Sequence, residues 1–148
     1  MKIYLGKIDK SLRGGLLDPA IQEYRTRLTA YCDPELSVFK SSEAMSEWLL
    51  KQRQRQPLTL VLLDSRGRAL SSEALAHWVG ARLDEGQRPI LFCIGPADGW
   101  SDSLRKQADL LLSFGPITMT HEMARLLLAE QLYRAFTILA GHPYHSGH

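Results

Sequence analysis

The sequence predicts an α/β fold, a largely parallel sheet with helices on both faces, and two observations carry that prediction. Strand-length and helix-length segments alternate from end to end, and two strand candidates, residues 58–63 (LTLVLL) and Ile90–Ile94 (ILFCI), are apolar throughout apart from Thr59. A strand without a polar face must be buried on both sides, as it is in a sheet sandwiched between helical layers. The elements follow in order. Residues 2–8 (KIYLGKI) alternate charge and bulk as a short strand does. Asp18 and Pro19 supply an N-cap and a first-turn proline for a helix over 19–31. Residues 35–39 form a second short strand. Residues 42–54 form a helix with acids in its first turn and Lys51, Arg53 and Arg55 at its end, as the helix dipole favours. The apolar strand 58–63 stops at the turn Asp64-Ser65-Arg66-Gly67. Ser71 and Ser72 open a helix that ends near Gly86, where glycine accepts the left-handed C-cap conformation. After Ile90–Ile94 a short helix begins at Ser101, and residues 110–114 give a fifth strand. The segment 115–120 leads into a long helix over 121–140, closed by Gly141 and Pro143, with the tail HPYHSGH beyond. Met123, Leu126, Leu127, Leu128, Leu132, Tyr133, Phe136, Ile138 and Leu139 wrap more than one face of that helix. It is therefore expected to be buried on most sides, in a core and against a second subunit.

Length and composition fit one soluble domain: 148 residues, 45% hydrophobic and 23% charged. A chain of this size builds a core without metal or disulfide staples, and its composition excludes collagen-like and disordered classes. The 18 Lys and Arg against 16 Asp and Glu leave +2, too near balance to identify a nucleic-acid or membrane partner. Residues 1–60 hold 10 basic and 7 acidic side chains and the remainder 8 and 9, so any basic face is mostly N-terminal. Its candidates are Lys2, Lys7, Lys10 and Arg13, then Lys51, Arg53, Arg55, Arg66 and Arg68, with a solvated face as the plainer reading. Cys32 and Cys93 lie far apart in apolar surroundings, which suits reduced thiols and a cytoplasmic address. The opening residues have no apolar signal region, and no run approaches the roughly 18 apolar residues that span a bilayer.

Most familiar chemical motifs are absent. Gly6 is followed by Lys7 and Ile8, which fits neither a dinucleotide-binding GxGxxG nor a P-loop. Cys93 begins CIGPADG, superficially a phosphate-loop nucleophile, but no Arg follows at clamping distance, and a buried structural thiol is the expectation. His142, His145 and His148 have no Cys or acidic partner in the tail, so no metal site is expected. What remains is three strand-end loops: Leu63-Asp64, residues 95–99 (GPADG) and residues 114–119. They fall at the carboxyl ends of neighbouring strands, where open parallel sheets bind ligands, although plain turn chemistry would use the same residues.

The string IGPADGW, followed by LLLSFGPITMTHEMARLLLAEQLYRAFTILAGHPYH, resembles the RlmH family of bacterial ribosomal RNA methyltransferases, knotted SPOUT enzymes that use S-adenosylmethionine. The resemblance runs clearly over residues 58–145. Residues 1–57 share only the order of elements, with a shortened connection at 39–48. It implies a single SPOUT domain with a C-terminal trefoil knot and a homodimer packed through the last helix. It also implies cofactor contacts from Leu63, Gly95, Pro96, Phe114, Gly115, Pro116, Ile117, Thr118 and Met119. The implied reaction moves the sulfonium methyl to N3 of a pseudouridine in 23S ribosomal RNA, in the large subunit or the assembled ribosome. His121 and Arg125 at the start of the last helix, with His142, Tyr144 and His145 in the tail, match the polar groups near the cofactor. Tyr144 would stack on or hydrogen-bond the base, and Arg125 or Arg134 would meet phosphate or the partner subunit. Structural alternatives stand beside these roles: a salt bridge from Arg125 to Glu122 or Glu130, and a helix-start role for His121. One departure is Pro96, which stands where the family has a second glycine and removes a backbone N–H, while Asp98-Gly99 keeps the acidic-glycine pattern. If that N–H holds the cofactor, the alternative is a non-catalytic ribosome or RNA binder with weakened cofactor binding. A nucleotide-binding enzyme of another kind would rest on fold alone.

Overall fold

A computed structural model describes residues 1–11 and 15–146, so Arg13 and His148 lie outside the described residues. The elements run β1 (Lys2–Ile8), α1 (Asp18–Leu28), β2 (Asp33–Phe39), α2 (Ser42–Arg55), β3 (Thr59–Ala69), α3 (Ser72–Asp84), β4 (Ile90–Ile94), α4 (Asp102–Gln107), β5 (Leu110–Ser113) and α5 (His121–Leu139), followed by a 3-10 turn at Pro143–His145. All five strands pair in parallel in one sheet of order β2-β1-β4-β3-β5. The expected α/β class and parallel sheet are what the chain adopts.

Period-two alternation divides the central strands between two cores. Ile3, Leu5, Val61, Ile90, Phe92 and Ile94 face a core closed by α1, α3 and α5, while Leu60, Leu62, Leu91 and Cys93 face a second closed by α2 and α4. Hydroxyl caps start α2, α3, α4 and α5: Ser41, Ser71, Ser101 and Thr120 each accept from the amide three residues on. At α1 the expectation fails, because Leu17 occupies the cap position and Asp18 is already helical. That helix also ends at Leu28, the chain tightening into i to i−3 bonds over 29–31.

The larger correction concerns β3. The segment 64–67 does not stop the strand but interrupts its pairing, so that Leu63 and Arg68 both register against Leu112 of β5. A bulge of this kind re-aims side chains beside a site. Gly67 permits it, since a Cβ there would lie 2.5 Å from the Leu111 carbonyl oxygen.

The breadth of apolar surface on α5 is mostly used within the chain. Leu128, Ala129, Leu132, Ala135 and Phe136 enter the core, α1 and α3 cover its flanks, and only Met123 (49%) and Leu139 (42%) are exposed among its large apolar residues. Within one chain, little of the apolar surface of α5 is left for a second subunit to cover. Cys93 is fully buried and burial pushes its thiol up, while burial takes the half-buried Cys32 up to about 12. Among the described residues no helix is long and apolar enough to cross a membrane.

Candidate functional site

The β3 bulge and the loops that follow β4 and β5 converge on one cleft of about 590 Å³, within the range of small-molecule sites. Of the nine residues that the resemblance assigns to the cofactor, Leu63, Gly95, Pro96, Phe114, Gly115, Ile117, Thr118 and Met119 line it, and Pro116 does not. His121 is at its edge.

Few side chains hold these loops. The Trp100 indole donates to the Leu63 carbonyl (2.9 Å) and lies so close over Gly95 that a Cβ there would be 2.7 Å from its nitrogen. Asp64 ties the β3 bulge to α4, accepting from the Arg66 amide (2.8 Å) and pairing with Arg105 (2.7 Å), with its side chain only 7% exposed. Burial opposes that charge, but the Arg66 amide and the Arg105 guanidinium outweigh it and keep the carboxyl below the usual range. Ser113 accepts from the Gly115 amide (3.0 Å) and donates to the Ser65 carbonyl (3.3 Å), tying the β5 loop to the same bulge. Gly99 (φ +84°) and Gly115 (φ +98°) face open space where a Cβ would stand, so bare main chain can approach a ligand. Pro96 fits its turn without strain on the bonding: Gly99 closes it by donating to the Pro96 carbonyl (2.9 Å), which needs no N–H from Pro96.

The remaining candidates lie elsewhere. Arg125 is 3% exposed and donates through Nη2 to the Leu5 (2.6 Å) and Ser37 (2.9 Å) carbonyls, so it straps α5 to β1 and β2 instead of pairing with Glu122 or Glu130. Its Nε is buried without a partner, and burial pulls the guanidinium below its usual value. Tyr144 and His145 fold back along α5 to the level of Glu130, about 14 Å along the axis from His121 at 1.5 Å per residue. There they join a network. Tyr144 donates to Glu130 (3.2 Å), Arg134 pairs with Glu130 (2.7 Å), and His145 receives Arg134 at Nδ1 (2.9 Å) while its Nε2 meets Glu73 (2.7 Å). A neutral ring protonated on Nε2 satisfies both of its contacts. The Arg134 guanidinium also lies 4.9 Å over the Tyr144 ring. His142 is an acceptor for the Tyr144 amide (3.2 Å).

The basic candidates do not form one face. Lys2 pairs with Asp33 and Glu35 at the amino-terminal edge of the sheet, Lys7 is buried against Asp9 (3.3 Å), and Arg53 donates to the Leu58 carbonyl at the foot of β3. Arg66 lines the cleft just described, and Lys10 lies in a neighbouring one. Trp100, Asp64, Arg105 and Ser113 were missed as supports. Asp64 sits in a loop that the sequence singled out and Trp100 directly follows another, whereas a partner 41 residues away, as Arg105 is to Asp64, leaves no local signal.

The family model described as "Predicted SPOUT methyltransferase" matches residues 1–145. A protein of Koribacter versatilis (strain Ellin345) named Ribosomal RNA large subunit methyltransferase H is 42% identical over 99% of this chain and 97% of its own length. Proteins of the same name are 57% identical in Brucella ovis, over 58% of this chain and 51% of that one, and 54% identical in Mesorhizobium japonicum, over 64% and 59%. Those two alignments span little more than half of either relative. The SpoU methyltransferase AviRb from Streptomyces viridochromogenes, solved with the cofactor AdoMet, aligns at a TM-score of 0.48 and 13% identity, over 90% of this chain and 57% of that one. On the match over nearly its whole length, the chain belongs to the SPOUT methyltransferase family.

Proposed function

We propose that the chain is an S-adenosylmethionine-dependent methyltransferase of 23S ribosomal RNA that modifies N3 of a pseudouridine, acting as one knotted domain in a cytoplasmic homodimer. The observation that carries this reading is the convergence of eight resemblance-assigned residues on one main-chain-lined cleft. The cleft suits the cofactor: it has apolar walls from Leu63, Ile117 and Met119, and carbonyls and amides near Gly95, Gly99 and Gly115 for an adenine edge and the amino-acid end. When bound, the cofactor supplies a methyl already activated by sulfonium charge. The protein's part is alignment, exclusion of water and a route for the N3 proton, which explains why the sequence holds no conventional catalytic dyad.

In this reading His121 is the residue of the His121, Arg125, Tyr144 and His145 set that reaches the mouth within one chain. Tyr144 and His145 act at the mouth of a second copy, since their own tail is held about 14 Å along α5. Exposed apolar groups favour that assembly: Leu16, Ile117 and Met123 are uncovered, and Gly15, next to Leu16, abuts the carboxylate of Glu122, next to Met123. Arg125 serves as the strap that fixes the start of α5, and so His121, against β1 and β2. The knot of this reading is a threading of residues 114–120 past the β3 bulge. The test is transfer of a tritiated methyl from S-adenosylmethionine to ribosomes lacking the modification. Incorporation at N3 of a single pseudouridine is expected, and none would overturn the proposal.

A further inference from the structure

Loop 96–100 and His121 have a second side. They also wall a crevice of about 1080 Å³ that opens over the carboxyl ends of β1 and β4. These strands are neighbours, yet the helices that follow them leave for opposite layers, α1 to the side of α5 and α4 to the side of α2. Such a crossing point is where an open parallel sheet most readily takes a ligand. The far walls are the first turns of α2, with Ser42 and Ser46, and the outer face of α4, with Ser103 and Gln107.

We infer that this crevice is the acceptor side of the reaction: it receives the nucleotide to be methylated while the donor lies beside it in the smaller cleft. The inference rests on the methyltransferase reading and extends it. A transfer needs donor carbon and acceptor nitrogen roughly 3 Å apart, so the two sites must adjoin and open to each other. These two cavities adjoin at residues 96–100 and His121, which line both, and it is there that the methyl would pass. The lining also selects the part of the nucleotide that enters. Asp9, Glu43, Glu47 and Asp98 outnumber Lys10 and Lys40 around it, which repels phosphate and offers acceptors to ring N–H groups. Pseudouridine carries two such groups. One is given up at N3 on methylation, and the other remains to be held by a carboxylate, which uridine in its place could not match. Asp9 is suited to that task, since the Ser11 amide (2.9 Å) and Lys7 (3.3 Å) keep it ionised.

The test fills the crevice from walls that the donor cleft does not share. Ser46→Trp on α2 and Gln107→Trp on α4 should leave calorimetric titration by S-adenosylmethionine unchanged, while kcat/KM for unmodified ribosomes falls by about 100-fold, the cost of a misplaced acceptor. Methylation at the wild-type rate by either folded variant would overturn the acceptor assignment. A separate readout does not depend on bulky substitution: a cysteine at the exposed position of Gln107 (Gln107→Cys) should be alkylated more slowly when unmodified ribosomes are added, and an unchanged rate would also overturn it. Should the wild type bind no S-adenosylmethionine and methylate nothing, the methyltransferase reading itself fails, an outcome distinct from active variants.

Discussion

The cleft behind β3, β4 and β5 and the C-terminal tail are the two places where the family resemblance put functional residues, and they are built in opposite ways. The cleft is walled by main chain and small or apolar side chains, braced from behind by Trp100, the Asp64–Arg105 pair and Ser113. In the tail, polar side chains bind one another: Glu73, His145, Arg134, Glu130 and Tyr144 form one connected set. The difference teaches that loop shape decides whether the donor binds, whereas the network decides where the tail rests. Damage to one should spare the other.

The sharpest way to break that separation is at Gly95. An alanine there forces its Cβ against an indole that is buried and bonded, so Gly95→Ala should cost about 1–3 kcal/mol of stability by overpacking, measured by denaturant unfolding. S-adenosylmethionine affinity should fall with it. A smaller effect is expected at the tail. Glu130→Gln removes the charge that Arg134 and Tyr144 share at a partly exposed site, so a loss of about 1 kcal/mol is expected, with cofactor affinity unchanged by calorimetry. A fall in affinity there would join the two regions after all. The smallest effect concerns pH. The folded state holds Asp64 below its ordinary value, so its contribution is complete above the unfolded value of about 4 and is lost as pH falls through the lower, folded value. Asp64→Asn should therefore flatten part of the acid limb of a stability profile and leave neutral-pH unfolding cooperative.

Local signals in the sequence carried the fold far. The two apolar strands, the serine caps and the closing Gly141 each depend on neighbours a few residues away, and β4, α5 and the start of α4 fall within a residue or so of expectation. The Asp64-Ser65-Arg66-Gly67 segment misled because turn chemistry and a bulge use the same residues, and only pairing with β5 distinguishes them. Cofactor-assigned residues were legible because they belong to strand-end loops. Arg125 was not, since its acceptors at Leu5 and Ser37 are main-chain groups 120 and 88 residues away. A sequence can show that an arginine lies on an otherwise apolar helix, but not which carbonyls it meets. The tail was expected near the cofactor, and its folding back along α5 depends on Glu73, contributed by a different helix.

Calorimetric titration of the wild-type chain and of Gly95→Ala with S-adenosylmethionine tests the central claim most directly. Saturable binding of one S-adenosylmethionine per chain is expected, with a clear loss of affinity in the variant. Absence of saturable binding to the wild type, or equal affinity in the folded variant, would contradict it.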